Sequence, residues 1–353
     1  MSVRDLQALI AAGALNTRVS RADASGYVPF SRLIENEDVE QRLRQAVIAG
    51  ERVALVGESG SGKTSIIQHV LRGRHDGFAP IWLAIGDEDP QTVLKPREFG
   101  QHLIQKIGRD TNEDRQTQQS PDFQRAVAAT GREQTVTGAK VATKAGLSLR
   151  FPWLVTADLS RQIETVTASV TRSTSVAEVA DGLRAILDLI KRDELTPVLI
   201  FDDTDSWLSR PYHPDPEPMI QAFFGQALPW LAKQCAPTSI VAVHTTYLDS
   251  DAYEEAEKNG DLQRRITVPH LTDVSQLHTI IDAHITASTL ALDDDEVFTA
   301  DAVEELFRYY VHAARQSLRK VVVVAKLGLD AAEIAGAGVV DRSHVAPTVL
   351  EFS

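Results

Sequence analysis

Residues 57–64 read Gly57-Glu58-Ser59-Gly60-Ser61-Gly62-Lys63-Thr64 and match G-x-x-x-x-G-K-[ST]. Glycines let the backbone curl so that successive N–H groups converge on one anion. A helix starting near Gly62 presents its positive end to the same anion. Lys63 then reaches terminal phosphate oxygens, Thr64 offers a hydroxyl to a divalent cation, and Ser65 completes the segment. The flanks agree with this reading. RVALV ahead of the loop is apolar without a helical period, which suits a buried parallel strand. Behind it, residues 62–72 place Ile66, Ile67, Val70 and Leu71 on one helical face. A Gly/Ser-rich turn that merely contains Lys-Thr explains neither flank.

A phosphate cradle needs a metal partner, and PVLIFDDTD supplies one. Its apolar run delivers Asp202 and Asp203 to the carboxyl end of a strand, where ligands of open α/β sheets gather. Asp202 is the candidate for holding Mg²⁺ through water, and Asp203 for orienting the attacking water. The plainer alternative is an acidic pair that caps the next turn.

Further strands are predicted at residues 80–85, 239–244 and 266–271, alternating with helices. That alternation gives an α/β fold with a mostly parallel sheet. Ser175 with Glu178 reads as a capping box opening a helix through Val179, Leu183, Ile186, Leu187 and Ile190. Residues 1–27 read as a short amphipathic helix and tether, either a frayed terminus or a docking arm. Residues 28–271 form the core and 272–353 a helical C-terminal part. Within the core, residues 109–174 stand apart as an insertion rich in Thr, Gln, Ser and Gly. In residues 147–155 the apolar side chains alternate, so a projecting β-hairpin is expected.

Composition excludes several classes. The 353 residues carry 36 Lys+Arg against 49 Asp+Glu, a net charge of −13, so any nucleic-acid contact must be a local patch. A single cysteine, Cys235, can form neither an internal disulfide nor a thiolate zinc site, and a cytoplasmic location is expected. No apolar run approaches the roughly 18 residues of a membrane span, so no membrane partner is expected.

With the loop and the acidic strand in place, the chain resembles the AAA+ branch of nucleotide-hydrolysing proteins. Within that branch it looks most like the origin-recognition ATPases and the STAND signalling ATPases. The resemblance implies a parallel-sheet P-loop core, an all-helical lid, and ATP and Mg²⁺ as cofactors. It also implies a polar sensor after the acidic strand, best matched by Thr245 in SIVAVHTTY. An arginine finger given to a neighbouring copy is matched by Arg264 and Arg265 in DLQRRITVPHL. A second sensor arginine in the lid is matched by Arg319, with Arg315 one turn earlier. The segment ahead of the first strand wraps the base in such proteins, which points to Val28, Pro29 and Phe30. The implied function is ATP hydrolysis by an oligomer that remodels a protein or DNA client. The alternative is a slow, STAND-like switch that recruits an effector, and Asp203 in place of the usual Glu favours it.

Residues 124–150 hold Arg125, Arg132, Lys140, Lys144 and Arg150 against Glu133 alone. Such a basic segment can meet a DNA backbone, form a ledge between subunits, or remain a solvated loop.

Overall fold

The computed structural model describes residues 3–11, 14–15, 26–72, 77–85, 95–119, 157–170, 175–209, 215–287 and 297–352. They fall into two compact units. One comprises Arg42–Val56 and Val70–Ile266; the other comprises Met1–Gln41, Gly57–His69 and Thr267–Ser353.

The first unit holds a five-stranded sheet of β1 (Arg52–Val56), β2 (Phe78–Ala84), β3 (Thr196–Asp202), β4 (Ser239–Val243) and β5 (Arg264–Thr267). Their order is β2-β3-β4-β1-β5. β2 runs parallel to β3, β3 to β4, and β4 to β1. Val56 pairs with Val243 and Phe201 with Val241, so the carboxyl ends of β1, β4 and β3 lie side by side. The apolar runs in β1, β3 and β4 follow from burial on both faces. The last strand departs from expectation, since it spans Arg264–Thr267 rather than 266–271. Pairing with β1 draws charged residues into it, as Gln263 N–H donates to Arg52 O at 2.8 Å. Pro269, lacking an N–H, does not continue it.

In chain order the helices are α1 (Val3–Ala11), α2 (Phe30–Leu33), α3 (Val39–Ile48), α4 (Lys63–Leu71), α5 (Pro96–Gln119), α6 (Ala157–Val170), α7 (Val176–Arg192), α8 (Glu217–Ala222), α9 (Leu228–Gln234), α10 (Asp251–Lys258), α11 (Val274–Thr286), α12 (Ala300–His312), α13 (Leu318–Ile334) and α14 (Arg342–Phe352). Ser175 caps α7 as its sequence foretells, with Oγ accepting from Glu178 N–H at 3.3 Å. Its buried stripe of Val179, Leu183, Ile186, Leu187 and Ile190 joins the sheet-unit core. Phe201, Trp207, Phe223, Phe224, Tyr247 and Tyr253 form an aromatic cluster in the same core.

Two helices occupy the flanks of the segment read as an insertion. α5 runs to Gln119, past the expected end near residue 108, because Glu, Arg and Gln beyond Gly108 favour helix and no proline intervenes before Pro121. α6 buries Leu159, Ile163 and Val170, a helical spacing diluted by Thr and Ser. The alternating stretch 147–155 and the basic stretch 124–150 lie outside the described residues.

In the second unit α12, α13 and α14 pack on one another and α1 packs on α13. Leu6 and Leu9 of α1 are fully buried. Among the described residues no helix is long and apolar enough to cross a membrane.

Candidate functional site

β1 ends at Val56 and α4 begins at Lys63, so the glycine-rich residues form the whole connection. Gly60 and Gly62 sit at φ +76° and +101°, which side-chain-bearing residues rarely adopt. Ile66 N–H donates to Gly62 O at 2.9 Å, which starts the helix at the loop's last glycine. The first N–H groups of α4 have no partner within the helix, and its positive end faces the loop. Lys63 is 5% exposed, and its Nζ donates to Gly57 O at 2.7 Å and Glu58 O at 3.0 Å. The ammonium is thereby held over the glycine-rich loop. Thr64 is half-buried at the second position of α4. Ser61 Oγ is buried and has no hydrogen-bond partner among the described residues.

Arg319 belongs to the same unit. It is the second residue of α13, its side chain is exposed, and its backbone N–H donates to Gly60 O at 3.2 Å. Arg315 is not one helical turn earlier; it stands at φ +50° in the turn ahead of α13.

The segment expected at the base is also here. Val28 and Pro29 are half-buried and Phe30 is buried. Tyr27 Oη and Phe30 N–H both donate to Glu40 Oε1, the latter at 2.7 Å. Burial first, then Glu40's hydrogen bond and charge, raise the Tyr27 pKa. The Tyr27 ring lies 4.7 Å from that of His69 in α4. Glu40 Oε2 is buried without a hydrogen-bond partner among the described residues. Sequence reasoning missed Tyr27 and Glu40, because a long-range cap leaves no local pattern.

In the sheet unit, Asp202 is the last residue of β3 and buried, whereas Asp203 is exposed at φ +64°. Aspartate tolerates that left-handed region better than most residues, at an energetic cost. The turn that follows is fixed from three directions. Thr204 Oγ1 donates to Ala242 O, Tyr247 Oη donates to Thr204 O at 2.7 Å, and Trp207 Nε1–H donates to Ile85 O at 3.1 Å. These bonds tie the turn bearing the acidic pair to β4 and to the end of β2. Thr245 is half-buried and lies two residues past the end of β4, after His244, whose Nδ1 accepts from Thr246 N–H at 3.3 Å. The carboxyl edge of the sheet thus gathers Asp202, Asp203 and Thr245.

Arg264 and Arg265 lie elsewhere. They open β5 beside Arg52, the first residue of β1. At about 3.3 Å per residue, the span from Arg52 to Val56 places them about 13 Å from the carboxyl end of β1. Arg264 pairs with Glu51, Nε to Oε2 at 2.6 Å and Nη2 to Oε1 at 2.9 Å; Arg265 Nε is 3.4 Å from Glu257.

No protein-family model and no curated protein matches the sequence. Solved structures do match. The Aeropyrum pernix ORC1 protein, solved in complex with DNA, superposes with a TM-score of 0.50 at 14% identity, covering 96% of this chain and 69% of that one. CDC6P from Pyrobaculum aerophilum gives a TM-score of 0.47 at 14% identity, with 92% and 71% coverage. The A. pernix ORC2 protein in its ADPNP-ADP complexes gives 0.47 at 14%, with 91% and 71% coverage. The chain therefore folds as an α/β core built on a parallel sheet with a helical C-terminal part, the fold that it shares with the A. pernix ORC1 protein.

Proposed function

We propose that this chain is a Mg²⁺-dependent nucleotide-binding protein that hydrolyses ATP to ADP and phosphate. It assembles with copies of itself and couples nucleotide state to remodelling of a DNA or protein client. The observation that carries the reading is the phosphate loop: two glycines at positive φ, a helix start, and a buried ammonium held over the loop. The donor set suits Mg²⁺, since the Thr64 hydroxyl and the Asp202 carboxylate are hard oxygen ligands. The ion, when bound, neutralises charge on the phosphoryl oxygens. Lys63 and Arg319 donate to those oxygens, Asp203 orients the attacking water and takes its proton, and Thr245 fixes the water or the γ-phosphate. Val28, Pro29 and Phe30 hold the base.

Arg264 and Arg265 act on a neighbouring copy. Their place at the start of β5 favours donation in trans, and release of Arg264 from Glu51 accompanies it. Arg264→Ala with Arg265→Ala is expected to lower turnover more than tenfold with nucleotide affinity retained, as a lost charge-assisted contact in the transition state does. Full turnover by a strictly monomeric double variant contradicts the trans role.

DNA is the client favoured here, supported by the ORC1 protein's complex with DNA and by the basic stretch 124–150. Steady-state phosphate release, with and without duplex DNA across a salt series, tests this. Stimulation that fades with salt is expected. A flat, very low rate instead favours the slow switch, the second reading, for which the short side chain of Asp203 speaks.

Asp203 gives a separable test. Asp203→Gly is expected to raise stability by up to about 1 kcal/mol by relieving the left-handed backbone, while turnover falls and binding persists. Urea unfolding and a phosphate-release assay read the two effects; unchanged turnover removes Asp203 from the chemistry.

A further inference from the structure

Several observations meet at the start of α13, all within the unit that carries the phosphate loop. The chain reaches it through two consecutive left-handed residues, Arg315 at φ +50° and Gln316 at φ +60°. Neither is glycine, so surrounding contacts must hold them there. Gln316 N–H donates to Tyr310 O at 3.0 Å and Ser317 N–H to Ala314 O at 3.1 Å, and Ala314 is fully buried. This turn delivers Ser317, itself 4% exposed, to the loop's apex. A Cβ built on Gly60 would lie 2.3 Å from Ser317 Oγ and 2.8 Å from Arg319 Cβ, so only glycine admits the approach. Arg319 N–H donates to Gly60 O at 3.2 Å, while Ser61 N–H donates to Glu58 O at 3.1 Å. The peptide between Gly60 and Ser61 is therefore gripped on both sides, its carbonyl by α13 and its N–H by the loop itself.

We infer that the amino end of α13 is a positioning element for the phosphate cradle. The main-chain N–H of Arg319, at a helix start that Ser317 Oγ caps by accepting from Lys320 N–H at 3.5 Å, sets the Gly60–Ser61 peptide. Through it the helix start sets the direction of the N–H groups that follow and meet a nucleotide's β-phosphate. The role belongs to the backbone of Arg319, apart from any contact its guanidinium makes. It deepens the nucleotide-binding reading and rests on it.

Two substitutions at one position separate backbone from side chain. Arg319→Ala removes the guanidinium and keeps the N–H, whereas Arg319→Pro removes both, in a first helical turn where proline is tolerated. Calorimetry on the full chain would measure Mg·ADP and adenosine binding. Arg319→Pro is expected to bind ADP about 3- to 10-fold more weakly than Arg319→Ala, the worth of one hydrogen bond, with adenosine affinity equal in the two. Equal ADP affinity of two folded variants overturns the inference and leaves the nucleotide reading standing. Failure of the wild-type chain to bind ADP overturns the reading beneath it. Should Arg319→Pro not fold, Ser317→Ala decides. A selective loss of ADP affinity supports the positioning role; an unchanged affinity, or an equal loss of ADP and adenosine, rejects it.

Discussion

Lys63→Ala is expected to weaken Mg·ATP binding on the order of 100-fold or more and to abolish turnover. The size follows from the geometry. The ammonium is buried and already anchored on Gly57 O and Glu58 O, so it would meet a polyphosphate with little ordering left to lose. Removing it withdraws a positive charge from a site where water screens poorly. Two carbonyls also lose their donor, so part of the loss is loop geometry rather than charge. Lys63→Met, close in length but uncharged, should lose nearly as much affinity, while Lys63→Arg should recover part of it. Fluorescence titration with a labelled ATP analogue reads the series. Wild-type affinity in Lys63→Ala would mean that the loop does not hold the nucleotide.

Trp207→Ala should destabilise the sheet unit by about 3–5 kcal/mol, the cost of emptying a large buried aromatic site. Trp207 is fully buried, stacks with Tyr247 at 5.7 Å between ring centroids, and donates its indole N–H to Ile85 O. It is thus a packing residue and a strut for the turn that carries Asp202 and Asp203. Trp207→Phe keeps most of the apolar area but leaves Ile85 O without that donor. It should cost about 1–3 kcal/mol and lower turnover through the displaced acidic turn. Urea unfolding followed with phosphate release distinguishes the two contributions. A Trp207→Phe variant with unchanged stability and turnover would mean that the indole bond holds nothing in place.

What was legible in the sequence is what local chemistry encodes. The glycine spacing marks the loop because glycine adopts the positive φ of Gly60 and Gly62 without strain. The apolar runs before Gly57 and Asp202 specify central strands because both faces of such strands are buried. Ser175 with Glu178 marks a helix start that the backbone adopts. What was hidden depends on partners distant in the chain. Glu40 caps a turn ten residues away, and nothing in the period of α3 singles it out. Ser317 and Arg319 touch Gly60 across more than half the sequence. Arg264 looks like an exposed cation until β5 places it on Glu51. The positive φ of Asp203, Arg315 and Gln316 is likewise silent in residue identity, since the surrounding contacts impose it. α6 was hidden for another reason: its spaced Leu159, Ile163 and Val170 sit among Thr and Ser that dilute the helical period.

Every proposed step requires that a glycine turn and one ammonium group hold a polyphosphate. Isothermal titration of the folded wild-type chain with ATP and ADP, in the presence and absence of magnesium, tests it most directly. One site per chain is expected, saturable by either nucleotide and tightened by magnesium for ATP. Absence of any heat of binding for ATP, ADP or GTP from folded protein, with magnesium present, would contradict it.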